Sequence, residues 1–198
     1  MYSGPRNRPR VALTFHGAGD PALAAQLLTE ARKAGAPVTV LAVGSWLDAH
    51  PELARRILDD GNELGNHTYT HPVLPRLNAR AAYLEIARCA DVLRRLTGSP
   101  GRWFRPSGTA RATPLIQTAA RRAGYQTCLG YDVDPRDYTD PGADAVTSRL
   151  LGAVRPGSLV SLHLGHPGTV RALPAILDGL RRAGLAPVTV STLLGAPA

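Results

Sequence analysis

Short apolar runs and amphipathic helical stretches alternate along almost the whole chain, and no other feature restricts the possible folds as much. The run from Val11 to Phe15 predicts a first buried strand. PALAAQLLTEARKAG then predicts a helix, with Asp20 at the N-cap position, Pro21 at the first helical position and Gly35 as its stop. PVTVLAVG (Pro37 to Gly44) predicts a second strand, and PELARRILDDG (Pro51 to Gly61) a second helix. A short strand follows over Glu63 to Asn66, then a polar loop, HTYTH. A long helix is expected from about Asn78 to Thr97, whose Ala82, Ile86, Ala90 and Leu93 recur three or four apart as an inward face does.

The alternation continues to the end. A short strand is expected near Trp103 and Phe104, a helix over TPLIQTAARRAG, a strand over YQTCLGYDVD, a helix near Ala143 to Leu151, a strand over SLVSLH, a helix near Val170 to Gly184, and a last strand over APVTV. About seven strands with intervening helices favour an α/β fold with a parallel sheet, closed into a barrel or left open. Periodicity does not choose between the two. In both, the polar motifs fall at the C-terminal ends of strands, on the rim where such folds build their sites.

A chain of 198 residues is the size of one domain. Residues 1–9 are expected to form a basic, flexible leader and residues 10–198 the domain. The 23 Lys+Arg against 15 Asp+Glu give a net charge of +8, which favours polyanionic surroundings. The arginines are dispersed and no nucleic-acid motif accompanies them, so no specific nucleic-acid partner is expected. MYSGPRNRPR has no apolar core of a signal peptide, and no stretch approaches the roughly 20 apolar residues of a membrane span. Cys89 and Cys128 stand outside any CxxC pair and are expected to be free thiols.

The strongest local signal is His67-Thr-Tyr-Thr-His71, two imidazoles four residues apart in a polar segment, a spacing that reaches one metal ion. Alone, it is matched by a bland reading, two loop histidines bonded to backbone or solvent. The ordered series TFHGAGD, HTYTH, FRPSG, YDVDPRDY and SLHLGHP, each at a strand end, resembles the polysaccharide deacetylase family, also called the NodB-homology domain or carbohydrate esterase family four, from about Val11 to Leu194. The resemblance implies an irregular (β/α) barrel of about seven strands. It also implies removal of N- or O-acetyl groups from acetylated oligo- or polysaccharide with a divalent metal, Zn2+ first, and an extracellular or cell-surface setting; a cytoplasmic one stays open. A monomer is expected.

By that resemblance His67 and His71 are metal ligands, Arg105 opens an R-P motif one residue shorter than usual, Asp134 pairs with the catalytic histidine, and His163 is the general acid that protonates the leaving group. The first motif departs: where the family reads T-F-D-D-G, this chain has Thr14-Phe15-His16-Gly17-Ala18-Gly19-Asp20. Three outcomes are left open: Asp20 curls back as the third metal ligand while His16 serves as base; His16 ligates and another group is the base; or metal or activity is lost. Asp20 also fits a plain helix cap.

Histidine is a reasonable base, since an unperturbed pKa near 6.5 leaves it neutral at about pH 7, and a nearby cation keeps it so. The rivals are a catalytically silent carbohydrate-binding relative and a metal-dependent amidase on a non-sugar substrate. Nicotinamide redox chemistry is disfavoured because no GxGxxG follows the first strand.

Overall fold

Strand β1 (Arg10–Gly17) is the axis of a parallel sheet, flanked by β2 (Thr39–Ala42) on one side and β4 (Leu159–His163) on the other, in a computed structural model that describes residues 1–195. Strand β3 (Glu63–Asn66) pairs with β2, giving the order β3-β2-β1-β4, and β5 (Ala186–Pro187) pairs with the start of β1. The circuit then closes through single bridges: Asn66 to Phe104, Phe104 to Cys128, and Val133 to Val160 on β4. The result is an irregular barrel.

Helices α1 (Pro21–Lys33), α2 (Gly44–Ala49), α3 (Pro51–Asp59), α4 (Ala79–Thr97), α5 (Pro114–Arg122), α6 (Ala143–Ala153) and α7 (Pro167–Arg182) connect the staves, and α8 (Val190–Leu194) ends the described chain. The expected α1, α3 and α4 start as anticipated; Asn78 caps α4 by accepting from Ala81 N at 2.9 Å. Of the seven anticipated strands, those near Phe104 and over 125–134 shrink to isolated bridges, because Gly101, Pro106, Gly130 and Pro135 interrupt ladder pairing there. Beyond Pro187 the last strand gives way to α8, whose N-cap Thr189 accepts from Thr192 N.

Alternation along the strands decides what faces the barrel axis. On β1, Val11, Leu13 and Phe15 turn outward into the large core beneath the helices. Ala12 instead packs inside with Leu41, Trp103, Leu129 and Leu159, so Thr14 and His16 lie on the inner face above it. Residues Thr14 and Ser161 are register partners, and so are His16 and His163. The interior therefore runs from an apolar floor through a hydroxyl layer to imidazoles at the C-terminal rim.

The N-terminal segment is not the flexible leader anticipated. Met1 O accepts from Gly130 N (2.6 Å), Gly4 N donates to Gly157 O (2.7 Å), Ser3 bridges Ser158, and Arg6 reaches Pro156 O (2.7 Å) and Asp132 Oδ2 (2.8 Å). It fills the wedge where the 128–130 stave splays away from β4, and its backbone groups satisfy that stave's otherwise unpaired edge. Deleting residues 1–6 is expected to lower the melting temperature by about 5 °C or more, the shift that roughly 2 kcal/mol produces in a domain of this size. An unchanged melting curve from calorimetry would contradict this role.

Candidate active site

A cleft of about 580 Å³ opens at the C-terminal rim, lined by His16, His67, His71, Tyr131, His163 and His166 among others. His16 and His163 meet because their strands pair in register; His67 joins them because β3 ends at Asn66. The His16 ring stacks on His67 at 4.1 Å between centroids, and the His67 and His71 rings are 4.9 Å apart.

The HTYTH loop needs unusual backbone to bring both of its histidines to the cleft. Thr68 (φ 68°) and His71 (φ 58°) are left-handed without being glycine, a conformation that costs roughly 1–2 kcal/mol per residue. The loop is held from two sides. Glu85 on α4 accepts from Tyr69 N (3.0 Å), Thr70 N (2.8 Å) and Thr70 Oγ1 (2.9 Å). Ser107, from the RPSG segment, donates to Pro72 O (2.6 Å) and accepts from Thr68 Oγ1 (3.1 Å). Neither clamp was visible in the sequence, although Glu85 lies in the first half of the predicted helix.

Arg105 is 1 % exposed, and among the described residues no carboxylate lies within ion-pair distance of it. Its guanidinium donates to Thr14 Oγ1 (2.7 Å), Gly130 O (3.0 Å) and His16 Nε2 (3.2 Å). Burial lowers its pKa to about 10, which leaves it cationic at neutral pH. A guanidinium can only donate, so His16 Nε2 must accept. A neutral His16 then carries its proton on Nδ1, which faces His163 Nε2 at 2.9 Å. His163 in turn keeps its proton on Nδ1 and donates to Asp137 Oδ1 at 2.8 Å. Hydrogen bonds thus run one way, from Arg105 through His16 and His163 to Asp137.

The partner of His163 is Asp137, not the anticipated Asp134. Asp134 is exposed, and its Oδ1 accepts from Arg136 N at 2.8 Å, a local turn that the Asp-Pro-Arg sequence favours. Asp137 is fully buried; besides the His163 ring it accepts from His163 N (2.8 Å), Thr169 Oγ1 (2.7 Å) and Tyr138 N (3.1 Å).

The metal question turns on which donors are free. His67 Nδ1 donates to Arg105 O at 2.9 Å, so the lone pair sits on Nε2, and that buried atom has no hydrogen-bond partner. A carbonyl behind Nδ1 and a free Nε2 fit a metal-binding imidazole. His71 fits as a second ligand. The carboxylate does not: Asp20 is exposed, and its Oδ1 accepts from Ala22 N at 2.8 Å as the cap of α1. Gly19 (φ 87°) fixes that turn by packing its Cα against Gly165, where a Cβ would approach to 2.7 Å. A side chain at Gly17 would start 2.9 Å from Val40 Cγ1 and 3.1 Å from Ala42. His16 has both ring nitrogens engaged. Among the described residues no three His, Cys, Asp or Glu side chains are gathered to hold an ion. The three-ligand site anticipated with Asp20, His67 and His71 is therefore not assembled; two of its members fit.

Burial, followed by the neighbouring charges of His67, Arg105 and His163, pushes the pKa of His16 well below its usual value. Burial and then His71 do the same to His67, and burial and then His163 lower that of His71. All three rings are therefore neutral at neutral pH. Cys89 and Cys128 are free thiols, as anticipated, and burial raises the Cys89 pKa to about 12.

An irregular α/β barrel with imidazoles, a buried arginine and an Asp-His pair at its C-terminal rim defines a NodB-type domain. The sequence pattern of the family described as Polysaccharide deacetylase matches residues 3–128. A chitooligosaccharide deacetylase from Bradyrhizobium sp. is 32% identical over 92% of this chain and 88% of its own. A peptidoglycan-N-acetylglucosamine deacetylase from Bacillus cereus is 32% identical over 96% and 90%. Among solved structures, the Bc1960 peptidoglycan N-acetylglucosamine deacetylase superposes with a TM-score of 0.92 at 28% identity, over 99% of this chain and 92% of that one. A family-four pseudoenzyme from Bacillus anthracis, BA3943, superposes at 0.91 with 25% identity, over 98% and 68%. The chain belongs to the polysaccharide deacetylase family.

The depressed histidine pKa values fix a sign for stability against pH. An imidazole that stays neutral in the fold but takes a proton when unfolded stabilises the fold fully above its unfolded pKa, near 6.5, and loses that contribution as pH falls toward its lowered folded pKa. In EDTA, His16→Asn is expected to lessen the loss of stability as pH falls below about 6.5, by at most about 1.4 kcal/mol per pH unit, the slope of one proton. Parallel wild-type and variant curves from urea unfolding would contradict it.

Proposed function

We propose that this protein hydrolyses acetyl groups from N-acetylated amino-sugar polymer of the cell wall, releasing acetate and a free amine; acetyl esters would follow the same chemistry. The one observation that carries the reading is the contact of His16 Nδ1–H with His163 Nε2 at 2.9 Å, with a fixed donor and a fixed acceptor face to face in the cleft. An acetyl carbonyl and a water that separate the two rings meet the groups hydrolysis needs. His16 Nδ1–H, reinforced by Arg105 behind it, donates to the developing oxyanion. His163 Nε2 takes the proton of the attacking water, and buried Asp137 stabilises the imidazolium that forms. This exchanges the roles anticipated for the two histidines: His16 becomes the donor and His163 the base.

Support for the substrate comes from the relatives named for chitooligosaccharide and peptidoglycan deacetylation and from the net charge of +8, which suits a polyanionic wall. A cell-wall or cell-surface setting follows from the same relatives, and among the described residues no helix is long and apolar enough to cross a membrane. The divalent cation implied by the resemblance, Zn2+ first, would be held by His67 and His71, where it would polarise the acetyl carbonyl.

A second reading is favoured by the crowded Gly17 and the helix-capping Asp20, and by the likeness to a protein described as a pseudoenzyme: a relative that binds acetylated carbohydrate without cleaving it. Acetate release from N-acetylated chitooligosaccharides and from peptidoglycan, with EDTA and with added Zn2+, separates the two. The hydrolase reading predicts release, reduced about 10²-fold or more in His163→Gln. Saturable binding with no acetate in either condition would establish the silent relative. Turnover of small amides but of no sugar would point to a non-sugar amidase.

A further inference from the structure

The His163–Asp137 pair has a neighbour of the same composition. His166 Nδ1 lies 3.1 Å from both Asp140 Oδ1 and Asp140 Oδ2, and its ring is 5.8 Å from that of His163 and lines the same cleft. Asp137 and Asp140 flank one short 3-10 turn; His163 ends β4 and His166 stands just before α7. The two pairs are thus repeated three residues apart on the same two segments.

Both members of the outer pair give up a local preference. His166 occupies the N-cap of α7, where Ser, Thr, Asp or Asn would bond the free N–H groups, and its side chain makes no cap hydrogen bond. Asp140 adopts φ 48° without being glycine. Departures from a local optimum cluster at functional sites. The two dyads also differ in one respect that decides chemistry. His163 Nε2 is taken up by His16, whereas His166 Nε2 has no hydrogen-bond partner among the described residues and belongs to a ring that is 28% exposed.

We propose that His166, oriented by Asp140, is the general acid that protonates the departing sugar nitrogen, a role separate from that of His163; the inference rests on the hydrolase reading above. As the bond between the acetyl carbon and nitrogen breaks, the bonding pair stays on nitrogen and the proton of His166 Nε2 joins it. The water oxygen remains on the acetyl carbon. The proton that left the water rests on His163 and returns to His166 through solvent, while acetic acid loses its own proton to solvent.

The test uses two acetyl donors that differ only in whether the leaving group needs a proton. An N-acetylated chitooligosaccharide releases an amine and must be protonated; 4-nitrophenyl acetate releases a stable phenolate and need not be. His166→Gln is expected to lower amide hydrolysis by about 10²-fold while leaving ester hydrolysis within about threefold, the retained ester activity showing that the variant is folded. Asp140→Asn should move the amide rate in the same direction with a smaller effect, and His163→Gln should lower both reactions. Equal amide rates in His166→Gln and wild type, or an equal fall in both reactions, would overturn the inference while leaving the hydrolase reading intact. Wild-type protein inactive on both donors would overturn that reading, and this inference with it.

Discussion

A full positive charge inside the barrel, with no carboxylate among the described residues within ion-pair distance of it, is the constraint on which the rest of the site depends. Withdrawing an ion from water into a protein interior costs several kcal/mol, and the usual compensation is an opposite charge. Arg105 has instead a threonine hydroxyl, a backbone carbonyl and an imidazole. Each of these must accept. That single requirement sets the tautomer of His16, then that of His163, and ends at the buried Asp137 carboxylate, where the positive charge finds its distant counterpart.

The same constraint shapes the segment from Thr14 to Asp20. With histidine at position 16 the guanidinium meets a neutral ring, and the ring relays the polarity across the cleft to His163. Gly17 then has no ligand to offer, and the space a side chain would enter belongs to Val40 and Ala42. Asp20, the one carboxylate nearby in sequence, is turned away by the Gly19–Gly165 contact to cap α1. His67 and His71 remain, with the Nε2 of His67 buried and without a partner and its ring face stacked on that of His16.

Much of this was legible in the sequence. The βα alternation placed His16, His67, Arg105 and His163 at strand ends, and they do share one rim. The HxxxH spacing identified the segment, and the order of motifs identified the family. What the sequence could not carry was which of the three aspartates in YDVDPRDY reaches His163. Asp132 is taken up by Leu159 N, Ser158 Oγ and Arg6, and the turn formed after Asp134 removes that residue from contention, which leaves Asp137; the Asp-Pro pair was the available signal. The N-terminal strap was misread for a related reason. A basic, proline-rich stretch looks like a solvated tail, and nothing local to it reveals the unpaired stave edge it covers. Glu85 was hidden likewise, since a carboxylate on an amphipathic helix looks like surface charge until the strained loop above it is known.

The direction of the hydrogen-bond chain is read most directly by nitrogen NMR of the metal-stripped protein at neutral pH. With 15N-labelled histidine, the expected result is a proton on Nδ1 of both His16 and His163, bare Nε2 atoms on both rings, and a coupling across the bond from His16 Nδ1–H to His163 Nε2. A proton found on Nε2 of either ring would contradict it.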